Sequence, residues 1–325
     1  MVKAIRIHEH GGPEVLRYED VDPGKPGKGE VLVRHTAIGL NFIDTYFRTG
    51  LYPAPNGLPL TPGGEAAGVV VALGEGVTGL KEGDRVAYVG GPGSYTQERV
   101  MPAAQLVTIP DGVSDEDAAG MMLKGMTAEY LLRRTYAVKP GDNVLYHAAA
   151  GGVGLIFGQW AKHLGVDAIG TVGSQEKAEL ARAHGYAHVI NYREADFVKA
   201  VNEITGGKKC DVVYDSVGKD TFDGSLDCLK MRGLLVSFGQ SSGAVPPVNI
   251  GVLSQKGSLY LTRPTLFGYI ATRPELEGSA AALFDVVRSG AVKIRINQRY
   301  PLSEAAQAHR DLEGRKTTGT TILIP

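Results

Sequence analysis

A glycine-rich turn between a short apolar strand and a helix constrains the fold of this chain more than any other segment. The apolar run 144–147 predicts a strand, and the small residues of 148–154 predict a tight turn that leads into an amphipathic helix. In the fingerprint Gly-x-Gly-x-x-Gly, the three fixed positions are occupied by Ala149, Gly151 and Gly154. The second position lets the backbone approach a pyrophosphate, and the third lets the helix pack closely on its strand. The free N–H groups at the start of that helix then bind phosphate, so the turn predicts a dinucleotide site.

The segments around this turn alternate between short apolar strands and helices. Such alternation is typical of a doubly wound parallel sheet, the Rossmann architecture of the α/β class. Because the fingerprint and its surroundings agree, we interpret the turn as a nucleotide-binding element rather than an ordinary glycine-rich loop. The predicted strands are 144–147, 168–172, 188–190, 211–215, 233–238 and 258–262, with helices at 175–184, 194–205 and 219–230.

The loop after the second strand of this sheet indicates which dinucleotide is bound. NAD sites usually place an acidic residue there, where it binds the 2′-hydroxyl of the ribose. Here the strand leads into Gly173 and Ser174 with no acid, Lys177 follows one helical turn later, and Tyr192 follows the third strand. A small neutral loop beside a lysine suits a 2′-phosphate, although Glu176 could turn toward the ribose and the lysine could simply be solvated. We therefore expect the cofactor to be NADPH.

The rest of the chain predicts a β-rich domain and a returning tail. Before residue 125, short apolar runs are separated by glycine and proline turn signals. After the nucleotide-binding segment, helices are predicted around 275–289 and 303–313, each followed by a strand, at 292–295 and 320–324. The last strand has no obvious place in the parallel sheet, so we expect the tail to return to the first domain. The predicted divisions are 1–125 for the β-rich domain, 126–264 for the nucleotide-binding domain and 265–325 for the returning segment.

Composition restricts the classes of function. The chain has 325 residues, enough for two domains, and a formal net charge of −1, which leaves no basic field for nucleic acid or anionic membranes. No apolar run is long enough for a membrane span, and the N-terminus lacks the apolar core of a signal peptide. Only two cysteines occur, Cys210 and Cys228, which excludes a disulfide framework. We expect a cytoplasmic protein without a membrane partner, and the near-neutral charge weighs against a nucleic-acid partner.

Several motifs along the chain resemble those of one known family, the medium-chain dehydrogenases/reductases, and specifically its zinc-free NADPH:quinone oxidoreductase branch, which includes ζ-crystallin. The resemblance runs the full length. It implies a GroES-like β-rich catalytic domain beside a Rossmann NADPH-binding domain, with the active site in the cleft, and a homodimer built through the last strand of the nucleotide sheet. The segments that carry it are 41–46 (Asn-Phe-Ile-Asp-Thr-Tyr) with Arg48, Gly50, Leu51 and Tyr52, then 141–162, 215–218, 238–241 and 262–264.

The resemblance also implies the residues of the site. Asn41, Tyr46, Tyr52 and Arg263 are expected to be catalytic, by orienting the oxygens of the acceptor. Plainer roles stay open for each, since tyrosines near prolines often cover a loop and an arginine at a domain junction can be a surface residue. The expected cofactor-binding residues are Asn41, Phe42, Asp44, Thr45, Tyr130, Ala150, Gly151, Gly152, Val153, Gly154, Gly173, Ser174, Lys177, Tyr192, Ser216, Phe238, Gly239, Gln240, Ser241, Arg263, Pro264, Thr265 and Arg315.

The chain departs from the zinc-dependent members of that family. Where they carry Gly-His-Glu, this chain has Gly63-Gly64-Glu65, and no cysteine occurs before Cys210. A catalytic zinc ion needs at least three protein ligands, and the eight histidines show no ligand spacing. We therefore predict no metal.

Without zinc, the sequence favours an acceptor that is already electrophilic. A quinone, or an alkene conjugated to a carbonyl, takes a hydride to give a delocalised anion and needs little more than positioning and hydrogen bonds. We expect NADPH-dependent reduction of quinones. A reductase of conjugated enones or enals shares the same features and stays open. A structural or RNA-associated protein that merely holds NADPH is the third reading, and the near-neutral charge weighs against RNA.

Overall fold

The computed structural model describes all of residues 1–325. The strands are β1 (Val2–Arg6), β2 (Arg17–Val21), β3 (Glu30–Leu40), β4 (Glu65–Leu73), β5 (Arg85–Val89), β6 (Glu98–Pro102), β7 (Val107–Thr108), β8 (Val144–Tyr146), β9 (Ala168–Val172), β10 (His188–Asn191), β11 (Cys210–Asp215), β12 (Leu229–Ser237), β13 (Tyr260–Thr262), β14 (Ile296–Pro301) and β15 (Thr320–Ile324). The α-helices are α1 (Phe42–Thr49), α2 (Asp115–Tyr130), α3 (Gly152–His163), α4 (Gln175–Ala183), α5 (Phe197–Ile204), α6 (Phe222–Asp227), α7 (Gly251–Gln255), α8 (Leu266–Tyr269), α9 (Arg273–Arg288) and α10 (Ala305–Glu313). None of these helices is both long and apolar enough to cross a membrane.

One compact unit, called here the nucleotide unit, comprises Thr127–Tyr269 and Ser289–Lys293. Its six strands are all parallel and lie in the order β10-β9-β8-β11-β12-β13. The order starts at β8 in the middle and grows outward in both directions, which is the doubly wound arrangement. Leu145, Val213 and Leu235 are fully buried in its core. The Rossmann architecture predicted from the alternating pattern is confirmed.

The second unit, the β-rich unit, comprises Met1–Met126, Ile270–Arg288 and Ile294–Pro325. Its main sheet has the order β14-β15-β3-β4-β5-β7, and β6 pairs with β3 beside this path. The strand β15 runs antiparallel to β3 and parallel to β14, so it is an interior strand of the sheet. Its Leu323 is buried in the same core as Ile38 of β3.

The strand predicted at 292–295 is wrong, because β14 begins only at Ile296. The backbone of Lys293 is already bonded in both directions to the side chain of Gln159. The Gln159 Nε2 donates to the Lys293 carbonyl at 3.1 Å, and the Lys293 N–H donates to Gln159 Oε1 at 3.0 Å. The Gln159 side-chain amide thus takes both hydrogen bonds that the Lys293 backbone would form with a neighbouring strand.

A chain of buried hydrogen bonds crosses the core of the β-rich unit. The Arg48 guanidinium donates to His309 Nδ1 at 2.9 Å, and because arginine can only donate, the imidazole proton must sit on Nε2. That Nε2 lies 3.1 Å from the Tyr95 hydroxyl, which donates to Asp44 Oδ2 at 2.9 Å. Burial, and then the charge of Arg48, lowers the pKa of His309 to about 3. Burial raises the pKa of Asp44 to about 7 against hydrogen bonds that favour its ionised form.

These shifts predict a pH-dependent effect of Asp44→Asn on stability. Between pH 3.8 and about pH 7, Asp44 is protonated in the folded protein but ionised in the unfolded chain. The free energy of unfolding of the natural protein therefore falls as the pH rises through this range. The asparagine oxygen still accepts the two bonds from Asn41 and Tyr95 but never titrates. In urea unfolding, Asp44→Asn should match the natural protein near about pH 4 and be more stable by roughly 2–4 kcal/mol above pH ~7. A difference that is constant with pH would contradict this.

Candidate functional site

The turn from β8 into α3 has the geometry of a phosphate-binding turn. Ala148 adopts a left-handed φ of 60°, the Gly151 N–H donates to the Ala148 carbonyl at 2.9 Å, and α3 begins at Gly152. The Leu155 N–H donates to the Gly151 carbonyl at 2.9 Å, which leaves the preceding N–H groups of the helix without helical acceptors. These donors at the positive end of the helix dipole fit a pyrophosphate.

Gly154, the third fingerprint position, is required by close packing. A Cβ there would lie 2.6 Å from the Ala149 carbonyl oxygen and 2.7 Å from that of Ala148. The Tyr186 hydroxyl also donates to the Gly154 carbonyl at 2.8 Å. The helix therefore rests directly on the turn, as the fingerprint predicts.

The residues expected to bind a 2′-phosphate lie together at the carboxyl end of β9. A Cβ on Gly173 would lie 2.5 Å from the Tyr192 hydroxyl oxygen, so the half-exposed phenol of Tyr192 covers this strand end. Ser174 is the N-cap of α4, and its Oγ accepts from the Lys177 N–H at 3.3 Å. A neutral strand end, a hydroxyl, a phenol and the first turn of a lysine-bearing helix thus meet, which suits an anion.

The loop after β11 is fixed by a buried carboxylate. Asp215 Oδ1 accepts from the Val217 N–H at 2.8 Å and from the Gly218 N–H at 3.0 Å. The Ser225 hydroxyl donates to Asp215 Oδ2 at 2.8 Å and lies 3.0 Å from His147 Nε2. Burial lowers the pKa of His147, so the ring is a neutral member of this network. Sequence reasoning missed the network, because its members are far apart in the chain.

The loops after β11 and β12 pack on each other, and Arg263 braces the second. The Ser241 N–H donates to the Ser216 carbonyl at 3.1 Å, and a Cβ on Gly239 would lie 2.6 Å from that carbonyl oxygen. Arg263 Nη1 donates to the Gly239 carbonyl at 2.7 Å and to the Ser237 carbonyl at 3.1 Å. The exposed guanidinium is thereby held at the carboxyl edge of the sheet, where ligands of doubly wound sheets bind.

Tyr130 is buried at the end of α2, next to a π-helical turn over Leu131–Thr135. Its ring stacks on that of Tyr269, with centroids 4.5 Å apart and an interplanar angle of 11°. The Arg134 guanidinium lies 5.2 Å from the centroid of the Tyr269 ring. Burial raises the pKa of Tyr130, so its phenol stays neutral. Single π-helical turns are frequent at functional sites.

In the β-rich unit, the expected site residues gather at the start of α1. Asn41 is the N-cap residue and forms a capping box with Asp44, whose carboxylate accepts from the Asn41 N–H at 2.9 Å. The Asn41 Nδ2 donates to Glu65 Oε1 at 2.7 Å, and Lys124 Nζ donates to the same oxygen at 2.6 Å. The Leu123 N–H donates to Glu65 Oε2 at 2.6 Å. Asn41, Glu65 and Lys124 are all buried.

Sequence reasoning gave Glu65 no role in the site and left Lys124 without one. A usable signal was present, since Glu65 directly precedes the apolar run 66–73 and Lys124 interrupts the apolar run 118–128. Charged side chains in such runs are buried only when they are paired. The two form an ion pair 59 residues apart in sequence.

The two expected catalytic tyrosines form a small aromatic group. The rings of Tyr46 and Tyr52 meet edge to face with centroids 5.3 Å apart, and the ring of Phe47 lies 5.7 Å from that of Tyr52. The Tyr52 N–H donates to the Tyr46 carbonyl at 3.0 Å, which fixes the chain after α1. Both tyrosines are half-buried, so each keeps part of its surface available.

The other expected cofactor residues lie at or next to the ends of helices and strands. They are Ala150, Gly152 and Val153 at the start of α3, Phe238 and Gln240 after β12, Pro264 and Thr265 after β13, Phe42 and Thr45 in the first turn of α1, and Arg315 after α10.

The structure contains no group of three or more histidine, cysteine, aspartate or glutamate side chains able to hold a metal ion.

Comparisons with known proteins agree with this architecture. The family model for the alcohol dehydrogenase GroES-like domain matches residues 27–111, and that for zinc-binding dehydrogenases matches residues 152–285. The chain is 57% identical to a quinone oxidoreductase of Pseudomonas aeruginosa, with 100% of both chains covered. It is 49% identical to a 2-haloacrylate reductase of a Burkholderia species, covering 100% of this chain and 99% of the relative.

A solved structure is also similar over its full length. The crystal structure of Escherichia coli quinone oxidoreductase complexed with NADPH has a TM-score of 0.98 and 53% identity to this chain, covering 99% of this chain and 100% of that one. The resemblance inferred from the motifs is thereby confirmed. With a β-rich unit, a doubly wound nucleotide unit and full-length similarity above half identity, the chain belongs to the quinone oxidoreductase family of the medium-chain dehydrogenases/reductases.

Proposed function

We propose that this protein reduces quinones with NADPH, by two-electron hydride transfer and without a metal ion. The observation that supports NADPH as the cofactor is the end of β9, which has no acidic residue and where Ser174, Lys177 and Tyr192 lie around Gly173. Support for the acceptor comes from the full-length similarity to proteins named quinone oxidoreductase. Gly64 stands where the zinc-dependent members of the wider family are expected to carry histidine, which supports chemistry that needs no Lewis acid.

The nucleotide unit supplies the binding sites for the cofactor. Residues 148–154 and the first N–H groups of α3 would hold the pyrophosphate, and the end of β9 would hold the 2′-phosphate. Arg263, braced by Gly239, would place a positive charge at the carboxyl edge of the sheet. When bound, NADPH supplies the hydride.

The β-rich unit supplies the groups that orient the acceptor. The Tyr46 and Tyr52 hydroxyls are hydrogen-bond donors that suit carbonyl oxygens gaining negative charge. Their rings fix each other edge to face, and α1 fixes the backbone that carries Tyr46, so little ordering is left to the binding step. Asn41 is held by Asp44 and Glu65 at the start of the same helix.

The proposal is tested by NADPH oxidation in the presence of EDTA. Purified protein should oxidise NADPH rapidly with 1,4-benzoquinone and 1,2-naphthoquinone. A second candidate, reduction of an alkene conjugated to a carboxyl or carbonyl group, is favoured by the similarity to a protein named 2-haloacrylate reductase. Turnover confined to 2-chloroacrylate or a simple enone would establish that candidate instead, and tight NADPH binding without turnover would contradict both.

Lys177→Ala should change the choice of cofactor. Loss of a charge-assisted bond to the 2′-phosphate is expected to weaken NADPH by about 1–3 kcal/mol and to leave NADH nearly unchanged. Dissociation constants for both cofactors, measured by fluorescence titration, check this. Arg182→Ala, an exposed change in the last turn of the same helix, is the matched control. An equal loss for NADPH and NADH would refute the assignment.

We also propose a homodimer built through β13. This strand is an edge of the parallel sheet and pairs only with β12. Its Tyr260 and Leu261 are 61% and 38% exposed. An edge strand with exposed apolar side chains invites pairing with another strand.

Substitution of the edge tests the dimer. Leu261→Lys should shift the natural protein from dimer to monomer in sedimentation velocity, because a charge would be buried at the strand pairing. His188→Lys, at an exposed position of the opposite edge strand β10, should leave the mass unchanged. A monomeric natural protein, or a Leu261→Lys variant that stays dimeric, would contradict the proposal.

A cytoplasmic location completes the proposal. Cys210 and Cys228 are both free and buried. Burial, and then the charge of Asp227, raises the pKa of the Cys228 thiol to about 12. A chain with only two cysteines, both free, has no disulfide framework, which fits a reducing compartment.

A further inference from the structure

A single buried carboxylate organises the polar centre of the β-rich unit. Glu65 is fully buried at the start of β4, and it accepts three hydrogen bonds, from Asn41 Nδ2, Lys124 Nζ and the Leu123 N–H, all between 2.6 and 2.7 Å. Room for it is provided by Gly39, its register partner on β3, where a Cβ would lie 2.2 Å from Glu65 Oε1. The carboxylate therefore occupies a place built for it.

This arrangement fixes which end of the Asn41 amide faces away from Glu65. A carboxylate can only accept hydrogen bonds, so the Asn41 nitrogen must face Glu65 and the oxygen Oδ1 must face the other way. That oxygen lies on the side of the capping box, at the N-terminus of α1. A carbonyl oxygen accepts two hydrogen bonds, so the capping position leaves acceptor capacity for a ligand.

Lys124 supplies the charge that this orientation needs. It is buried and donates to the same Glu65 oxygen as Asn41. A carboxylate buried without a cation would be an unpaired charge, and removing one partner of a buried ion pair is strongly destabilising, so the acceptor that holds the Asn41 nitrogen depends on Lys124. The ammonium group therefore stabilises the orientation of the Asn41 amide through Glu65 Oε1, the acceptor that both groups share.

We infer that Glu65 is a positioning residue of the active site, which holds the Asn41 amide with its oxygen presented to a hydrogen-bond donor of the reactants, while Lys124 balances its charge. The inference rests on the proposed function, in which Asn41 contacts the reactants. An oxygen acceptor pairs with a hydroxyl or an amide N–H. Such donors are present on the nicotinamide riboside of the cofactor and on a hydroquinone product, but not on a quinone.

The paired substitution Glu65→Gln with Lys124→Met reverses the amide without leaving a buried charge. The introduced glutamine can accept from the Leu123 N–H with its oxygen and donate to Asn41 with its nitrogen. Asn41 must then turn its oxygen inward and its nitrogen toward the ligand, where donor meets donor. We expect a loss of about tenfold to a hundredfold in NADPH affinity or in kcat/KM for 1,4-benzoquinone.

The two measurements separate the sources of the donor. Weaker NADPH binding in fluorescence titration assigns the donor to the cofactor, whereas unchanged binding with a lower kcat/KM assigns it to the hydroquinone side. The control Asp211→Asn with Lys230→Met removes another ion pair, at the amino end of β11, and should change neither value. No change in either value for the Glu65 and Lys124 pair would overturn the inference.

A mutant cycle distinguishes positioning from a purely structural role. In an Asn41→Leu background, the paired substitution should cost less than twofold, because the amide through which Glu65 acts is gone. A loss of the same size in both backgrounds would overturn the inference. Turnover of the natural protein with quinones is measured separately, so failure of the proposed function is visible on its own.

A measurement on the natural protein remains decisive if the paired variant does not fold. Neutron diffraction from deuterium-exchanged crystals should place deuterons on the atom of Asn41 that faces Glu65. Deuterons on the atom that faces away from Glu65 would overturn the inference irrespective of any variant.

Discussion

The buried ion pair between Glu65 and Lys124 is the constraint on which the organisation of the β-rich unit depends. It joins the first residue of β4 to α2, and through Asn41 it also fixes the start of α1, which carries Tyr46, one of the two proposed acceptor-binding tyrosines. A buried pair of this kind is weak evidence for extra stability, because desolvation offsets much of the attraction. Its contribution is geometric, since Glu65 holds the Asn41 amide, the Lys124 ammonium group and the Leu123 N–H at one point.

The nucleotide unit uses the same principle with different groups. Asp215 accepts hydrogen bonds from two backbone N–H groups of its own loop and from the hydroxyl of Ser225, and neutral His147 extends the network from Ser225 to Thr171. Buried acceptors that collect several donors make loops rigid at the carboxyl ends of β11 and β12. In both units a buried acid with several donors stands directly beside proposed binding residues, so rigidity is concentrated where a ligand must be oriented.

Much of the architecture could be predicted from local pattern, and the failures have physical causes. Apolar periodicity and the 148–154 turn were enough for the doubly wound sheet. The helix predicted at 219–230 ends early, at Asp227, because the Cys210 N–H donates to the Cys228 carbonyl and draws that segment into the sheet. The pairing of Glu65 with Lys124 depends on contacts between distant segments, which no local pattern encodes.

The place of β15 has a consequence for biosynthesis. Residues 320–324 form an interior strand between β3 and β14, so the sheet of the β-rich unit stays split until that segment leaves the ribosome. The strands β1 to β7 are synthesised before the nucleotide unit. Throughout synthesis of that unit, the edge of β3 that pairs with β15 in the folded protein has no partner. Domains usually finish folding in the order of their synthesis. Here the unit that begins first closes last, and a nascent chain stalled before residue 320 would be a natural substrate for chaperones.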